Sequence, residues 1–289
     1  MNDSQTVFAL VPFLLLWLAI PLLWLSAARW LWSIPFAASL LAGLGTGLLS
    51  PPSLLFIAAL AVACYLSGNK SGPLGASARL MVICMALAAA FHAVPGINNL
   101  LIREGLAVAD SAMPFDLYWN YDKAITGFLI LAFCVPALAG QPSHRRLPTL
   151  IAGITLALCL TVMPLAIALG EVRWEPKIPP ALIWWLPANL FITSLAEEAF
   201  FRGFIQHRLS AWLAPRLADG PLLAVVATAL IFGAAHAGGG INWVVLATLA
   251  GLGYGYAYHA TGRIEAAILV HFGFNLAHIL LLSYPRLDG

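Results

Sequence analysis

Two adjacent carboxylates and an arginine stand in the stretch Leu195-Ala-Glu-Glu-Ala-Phe-Phe-Arg-Gly-Phe204, at the end of a long apolar run. Ionisable groups are costly in such surroundings and normally mark function. On an α-helix, Glu198 and Arg202 are four residues apart with the acid N-terminal to the base, the favoured order for an ion pair. Glu197 lies about a quarter-turn away and is left for another task. Further along come Phe232-Gly-Ala-Ala-His236 and His271-Phe-Gly-Phe-Asn275. His271 and Asn275 share a helix face, with His278 one turn on, and upstream Asn189, Thr193 and Glu197 also step by four. Two acids, two histidines, an arginine and an asparagine on three apolar segments can converge only in an internal cavity. That is the composition of a hydrolytic site.

The elements that carry these groups follow from composition. With 62% hydrophobic and 9% charged residues in 289, the chain lies far from the globular norm of about 25% charged. An all-α, polytopic transmembrane bundle of about 8–10 spans is expected, from apolar runs judged against the roughly 20 residues a span needs. These runs are 7–27, 30–49, 53–66, 78–94, 123–140, 147–169, 181–204, 221–236, 241–260 and 264–283, the third short enough to be tilted or re-entrant. The Leu100–Ala109 portion of the longest polar connection is expected to form an interfacial helix. A net charge of +2 implies no nucleic-acid partner. Basic residues, among them Arg29, Lys70, Arg79, Arg145, Arg146, Arg208, Arg216 and Arg263, instead act as topology signals that place their loops in the cytoplasm. The protein is expected in a plasma or inner membrane. Cys64, Cys84, Cys134 and Cys159 are scattered singly, as packing residues are.

The chemically unusual groups lie almost entirely beyond Glu171–Pro180. Residues 1–175 are therefore expected to be scaffold or substrate-access helices, and 176–289 a catalytic core. His92 and His207, isolated at helix ends, are expected to be structural. Gly251-x-Gly-x-Gly255 follows no strand, so its glycines are assigned to close helix packing rather than to a dinucleotide.

Glu-Glu-x-x-x-Arg, then Phe-x-x-x-His, then His-x-x-x-Asn, in that order, resembles the CPBP family of intramembrane proteases. That is the family of the type II CAAX prenyl endopeptidase and of Abi-like bacterial proteins. Glu197, Glu198 and Arg202 match the first motif, Phe232 and His236 the second, and His271 and Asn275 the third. The resemblance covers roughly the last hundred residues. It implies an endopeptidase acting on membrane-associated protein or peptide substrates in the bilayer, with water activated by Glu197 and His236 and the oxyanion held by His271 and Asn275. The local chemistry agrees. Adjacent carboxylates in a low dielectric resist ionising together, so the one without a cationic partner suits a general base.

No cofactor is expected, and zinc on Glu197, His236 and His271 is the alternative, because all three are good zinc ligands. No His-Glu-x-x-His, no Gly-x-Gly-Asp and no nucleophilic serine in a Gly-rich turn supports another protease design. The competing class is a non-enzymatic binding or immunity protein, or a proton-coupled transporter. A transporter should carry polar breaks in both halves. A retired protease scaffold should have lost motif residues, and none is missing.

Overall fold

A computed structural model describes residues 3–24, 30–136 and 146–288. Every apolar run expected to span has a helical counterpart: α1 Asp3–Leu22, α2 Ser33–Gly45, α3 Pro51–Asn69, α4 Gly72–Ala90, α5 Tyr121–Cys134 and α6 Leu147–Ala168, then a helical run from Leu182 to Leu213, α10 Gly220–Ala234, α11 Ile241–Thr261 and α12 Ile264–Leu281. The protein is a polytopic helical membrane bundle, in which α3, α4, α6 and α12 are long and apolar enough to cross a bilayer. Arg29 and Arg145, used above as topology signals, lie outside the described residues.

Two expectations give way. The third run is not short, because Pro51 and Pro52 occupy the first helical turn, where a missing N–H costs nothing, and the helix continues to Asn69. Residues 100–109 do not form an interfacial helix. Leu100–Leu106 is strand β1, paired with β2 at Phe115–Trp119. Gly105, at φ +57°, donates its N–H to the Asp116 carboxylate, a geometry that suits a glycine in an extended ribbon and not a helix interior.

Residues group into two compact units that are discontinuous in sequence. The first comprises residues 1–101, 118–142 and 191–200. Its centre is α5, buried along nearly its whole length. The Ser39 hydroxyl donates to the Pro12 carbonyl, the Tyr121 hydroxyl donates to the Ser39 carbonyl at 3.0 Å, and the two hydroxyl oxygens lie 2.5 Å apart. This buried chain ties α1, α2 and α5 together, and Phe13 packs its ring edge-on to Tyr121 and Trp119.

The second unit comprises residues 102–117, 143–190 and 201–289. Here α6, α11 and α12 pack on one another, and α10 lies against α11. A Cβ on Gly233 of α10 would sit 2.7 Å from the Val244 carbonyl of α11, so only glycine permits that approach. The polar segment at the expected boundary, Glu171–Lys177, is hydrogen-bonded along the C-terminal tail. Glu175 and Lys177 N–H groups reach the Leu281 and Leu280 carbonyls, and Arg173 exchanges bonds with Ser283. The Glu171 carboxylate accepts from Asn242 Nδ2 and Trp243 Nε1 in the first turn of α11, where negative charge is favoured.

Candidate active site

The run that carries the glutamates is not a plain α-helix. From Leu182 it begins as α7, passes into a π-helix at Ala188–Ser194, returns to α geometry for one turn at Leu195–Glu198 (α8), becomes a π-helix again at Ala199–Gln206 and ends as α9 at His207–Leu213. Pro187 accounts for the first change: it lacks the N–H that would bond to Ile183 and its ring crowds that carbonyl. Nothing in the composition of Ala199–Gln206 explains the second. π turns inside α-helices are rare and concentrate at functional sites, and the glutamate pair lies between two of them. In a π turn the bond runs from i to i+5, so the Asn189 and Thr193 step lies in a wider turn than the α geometry assumed for it. The run also extends beyond Phe204 to Leu213, which places Glu197 near its middle rather than late in a helix.

In the first unit, α8 rests on α5. A Cβ on Gly127 of α5 would lie 2.5 Å from both Cα and Cβ of Ala196, the residue just before the glutamates. The two backbones thus meet with no side chain from α5 between them. Glu198 is fully buried and Glu197 half-buried.

In the second unit, Arg202 is fully buried, with Nη2 donating to the Gly251 carbonyl at 2.9 Å. One turn on, Gln206 Nε2 donates to the Gly255 carbonyl at 2.9 Å. Each helical carbonyl has a second lone pair for such a bond. The spacing by four on both sides makes two matching rungs, and it explains the glycines. A Cβ on Gly251 would meet Arg202 Nη2 at 3.2 Å and one on Gly255 would meet Gln206 Oε1 at 2.8 Å. Close packing, expected from the sequence, is here close packing against polar side chains.

Rings enclose the guanidinium. Its carbon lies 4.7 Å from the Phe232 centroid, 5.3 Å from Tyr254 and 5.8 Å from Phe201, within cation–π range. Phe232 also touches both motif histidines, with centroid separations of 4.7 Å to His236 and 6.0 Å to His271. Buried His271 stacks on Tyr254 at 4.4 Å and 10°. The Phe-x-x-x-His spacing has a local cause as well: His236 Nδ1 lies 2.8 Å from the Phe232 carbonyl. A carbonyl can only accept, so Nδ1 carries the proton and Nε2 is the basic nitrogen. Asn275 Nδ2 lies 3.4 Å from Asn189 Oδ1, which orients the amide. Arg202, His236 and His271 are thus held around Phe232, with Asn275 one turn beyond His271 on α12. Tyr254 and Gln206 were not expected from the sequence. The shared four-residue spacing of Arg202/Gln206 and Gly251/Gly255 is the signal that could have revealed the second.

Residues 179–277 match the family model described as type II CAAX prenyl endopeptidase Rce1-like. The match covers 99 of the 289 residues and supports a CAAX-protease assignment for this region. No curated protein and no solved structure matches the chain. The matched region contains every residue of the three motifs, from Glu197 to Asn275, together with both π segments. With four helices long and apolar enough to cross a bilayer, the chain is an integral membrane protein. Among the described residues, no group of three or more His, Cys, Asp or Glu side chains is spaced to hold a metal ion. His207, outside the motifs, has Nδ1 3.3 Å from the Tyr258 hydroxyl, a packing partner.

Proposed function

We propose that the chain is an intramembrane endopeptidase in which Glu197 and His236 activate a water molecule for attack on a peptide carbonyl. Glu197 takes the water proton as hydroxide adds to the carbonyl carbon. The same proton then passes to the leaving amine as the tetrahedral intermediate collapses. His271 and Asn275 donate to the oxyanion, a role that needs preorganised donors. Glu198, paired with Arg202, balances charge beside the base, and residues 1–175 serve as scaffold and substrate access.

The observation that carries this reading is the His236 Nδ1–Phe232 carbonyl bond. It fixes the tautomer and leaves Nε2 as an acceptor, the state a water-activating histidine needs. The stack of His271 on Tyr254 and the Asn189–Asn275 contact support preorganisation at the third motif in the same way. The test is Glu197→Gln, which preserves shape and removes the base. Purified, folded variant should cleave at least about 10²-fold more slowly, the lower range for loss of a general base. Unchanged cleavage overturns the assignment. Comparative proteomics of membrane proteins from wild type and the variant identifies the substrates.

A further inference from the structure

A second site lies on the outer side of the second unit, apart from the motif residues. The N-terminal two-thirds of α6 presents residues 146, 149, 150, 153, 154, 157, 158 and 161 along one stripe. This meets a shorter stripe of α11 (249, 252, 253 and 256), and a groove of about 900 Å³ runs between them. The groove exists because side chains are missing. Gly153 has nothing within 4 Å of where a Cβ would be, and Gly253 admits Leu158 so closely that a Cβ there would lie 2.8 Å from its methyls. From Arg146 to Thr161 it is roughly 22 Å long at 1.5 Å per residue, more than the roughly 15 Å of hydrocarbon in one leaflet. Of the four long apolar helices, α6 is the least enclosed by protein, so its outer face is covered by lipid.

The two ends of this groove differ in chemistry. The deep end is apolar, whereas the other is marked by exposed Arg146 at the head of α6. The N-terminus of this 22-residue helix has no side-chain cap, so its free N–H groups and positive dipole end add to the arginine charge. Tyr256, half exposed, adds a phenol to the lining. Among the described residues no carboxylate pairs with Arg146. An apolar trough one leaflet long, headed by unneutralised positive charge, is complementary to one kind of molecule. We propose that the α6–α11 groove binds a single anionic phospholipid, with its phosphate at Arg146 and the α6 N-terminus and an acyl chain lying over Gly153 towards Thr161.

Native mass spectrometry of the delipidated full-length protein tests this. The protein is exposed to mixed micelles holding equal amounts of phosphatidylglycerol and phosphatidylcholine with identical chains. Wild type should retain one phosphatidylglycerol with about a five-fold preference, which is what roughly 1 kcal/mol per basic residue at a membrane surface amounts to. Gly153→Leu, which points into open space and so disturbs no packing, should remove the retained lipid of either kind. Arg146→Gln, at an exposed position, should keep a lipid but erase the preference. Equal retention of the two lipids by wild type overturns the proposal, as does anionic lipid that survives Gly153→Leu. Inorganic phosphate that displaces the lipid completely would show a headgroup-only site, and a chain dimer lacking the lipid would show that a second copy fills the groove. Either result also overturns it. None of these readouts depends on proteolysis, so the outcome is separate from that of Glu197→Gln.

Discussion

His92 and His236 stand two residues beyond the ends of α4 and α10, and each has Nδ1 within 3 Å of an acceptor oxygen. Their settings differ completely. His92, with backbone φ of +56°, has Nδ1 2.9 Å from the buried Asp122 Oδ2, and Asn99 Nδ2 reaches the same oxygen at 3.2 Å. Asp122 Oδ1 accepts from the Lys123 N–H, and Asn99 Oδ1 from the Tyr121 N–H. A histidine, an aspartate and an asparagine are thus gathered as in a hydrolytic site. Yet their bonds are used to fix the 91–99 connection to the head of α5, including a non-glycine residue in a left-handed conformation that costs energy to hold. Among the described residues, His236 bonds to the Phe232 carbonyl of α10 and otherwise meets the Phe232 ring. A polar cluster whose members satisfy one another is architecture. A cluster held in place by apolar rings, with a basic nitrogen left over, is equipped to act on something else.

The largest effect should come from exchanging the two histidines' roles in the test. His236→Ala and His271→Ala should each lower cleavage by at least about 10²-fold, whereas His92→Ala should leave kcat within about two-fold while lowering thermal stability. Equal losses of activity at His92 and His236, measured on folded protein, would erase the distinction.

Next is Arg202. Removing it strips the Gly251 carbonyl of a charge-assisted bond, opens space among three rings and leaves buried Glu198 without the cation assigned to it. Arg202→Ala should therefore cost stability by about 3 kcal/mol or more as well as activity. Arg202→Lys should recover part of both, because an ammonium cannot reach the carbonyl and spread over the Phe232, Tyr254 and Phe201 rings as a planar guanidinium does. A variant at Arg202→Ala that melts and cleaves like wild type removes that arginine from the design.

Glycines sharpen the contrast between closed and open surroundings further. At Gly127, an added methyl must push against the α8 backbone, so Gly127→Ala should destabilise by about 1–3 kcal/mol, the usual cost of overpacking, and should lower kcat by displacing the glutamates. At Gly153, nothing opposes the methyl, and Gly153→Ala should be neutral or stabilising by up to about 1 kcal/mol from helix propensity alone. Thermal melts of the two variants side by side check the sign of each. A stable, fully active Gly127→Ala would mean that α8 is positioned by something other than α5.

Much of this was legible beforehand, for physical reasons that also mark where legibility stopped. Apolar runs of bilayer length have few conformations open to them, so every expected span has its helix. The motif residues were visible because ionisable groups stand out in such runs. Asp122 was not connected with His92, since thirty residues separate them and only the fold brings them together. The strand at Leu100–Leu106 was mistaken for a helix because a mixed apolar and charged segment of ten residues satisfies either period, and the turn chemistry of Gly105 with Asp116 decides it. The π segments were hidden for a different reason. Only Pro187 announces a disturbance, and the wider turns at Ala199–Gln206 carry no sequence mark.

The smallest expected effect is the most discriminating, and it concerns metal. A histidine whose Nδ1–H bonds to a carbonyl is oriented equally well to ligate zinc or to help activate water, so His236 alone does not separate the two designs. His271 lies flat against Tyr254, a stack that suits the fixed donor proposed for it. Slow, thorough chelation of the purified protein should accordingly leave cleavage unchanged, and elemental analysis of active protein should find no stoichiometric metal. A metalloenzyme behaves otherwise, losing activity with its ion and regaining it when zinc is restored, because ligand and metal are thermodynamically linked. One zinc per chain, lost together with activity in His236→Ala, would make Glu197 a ligand, or the base beside a metal-bound water, and would change the meaning of the Phe232–His236 bond from tautomer control of a base to orientation of a metal ligand.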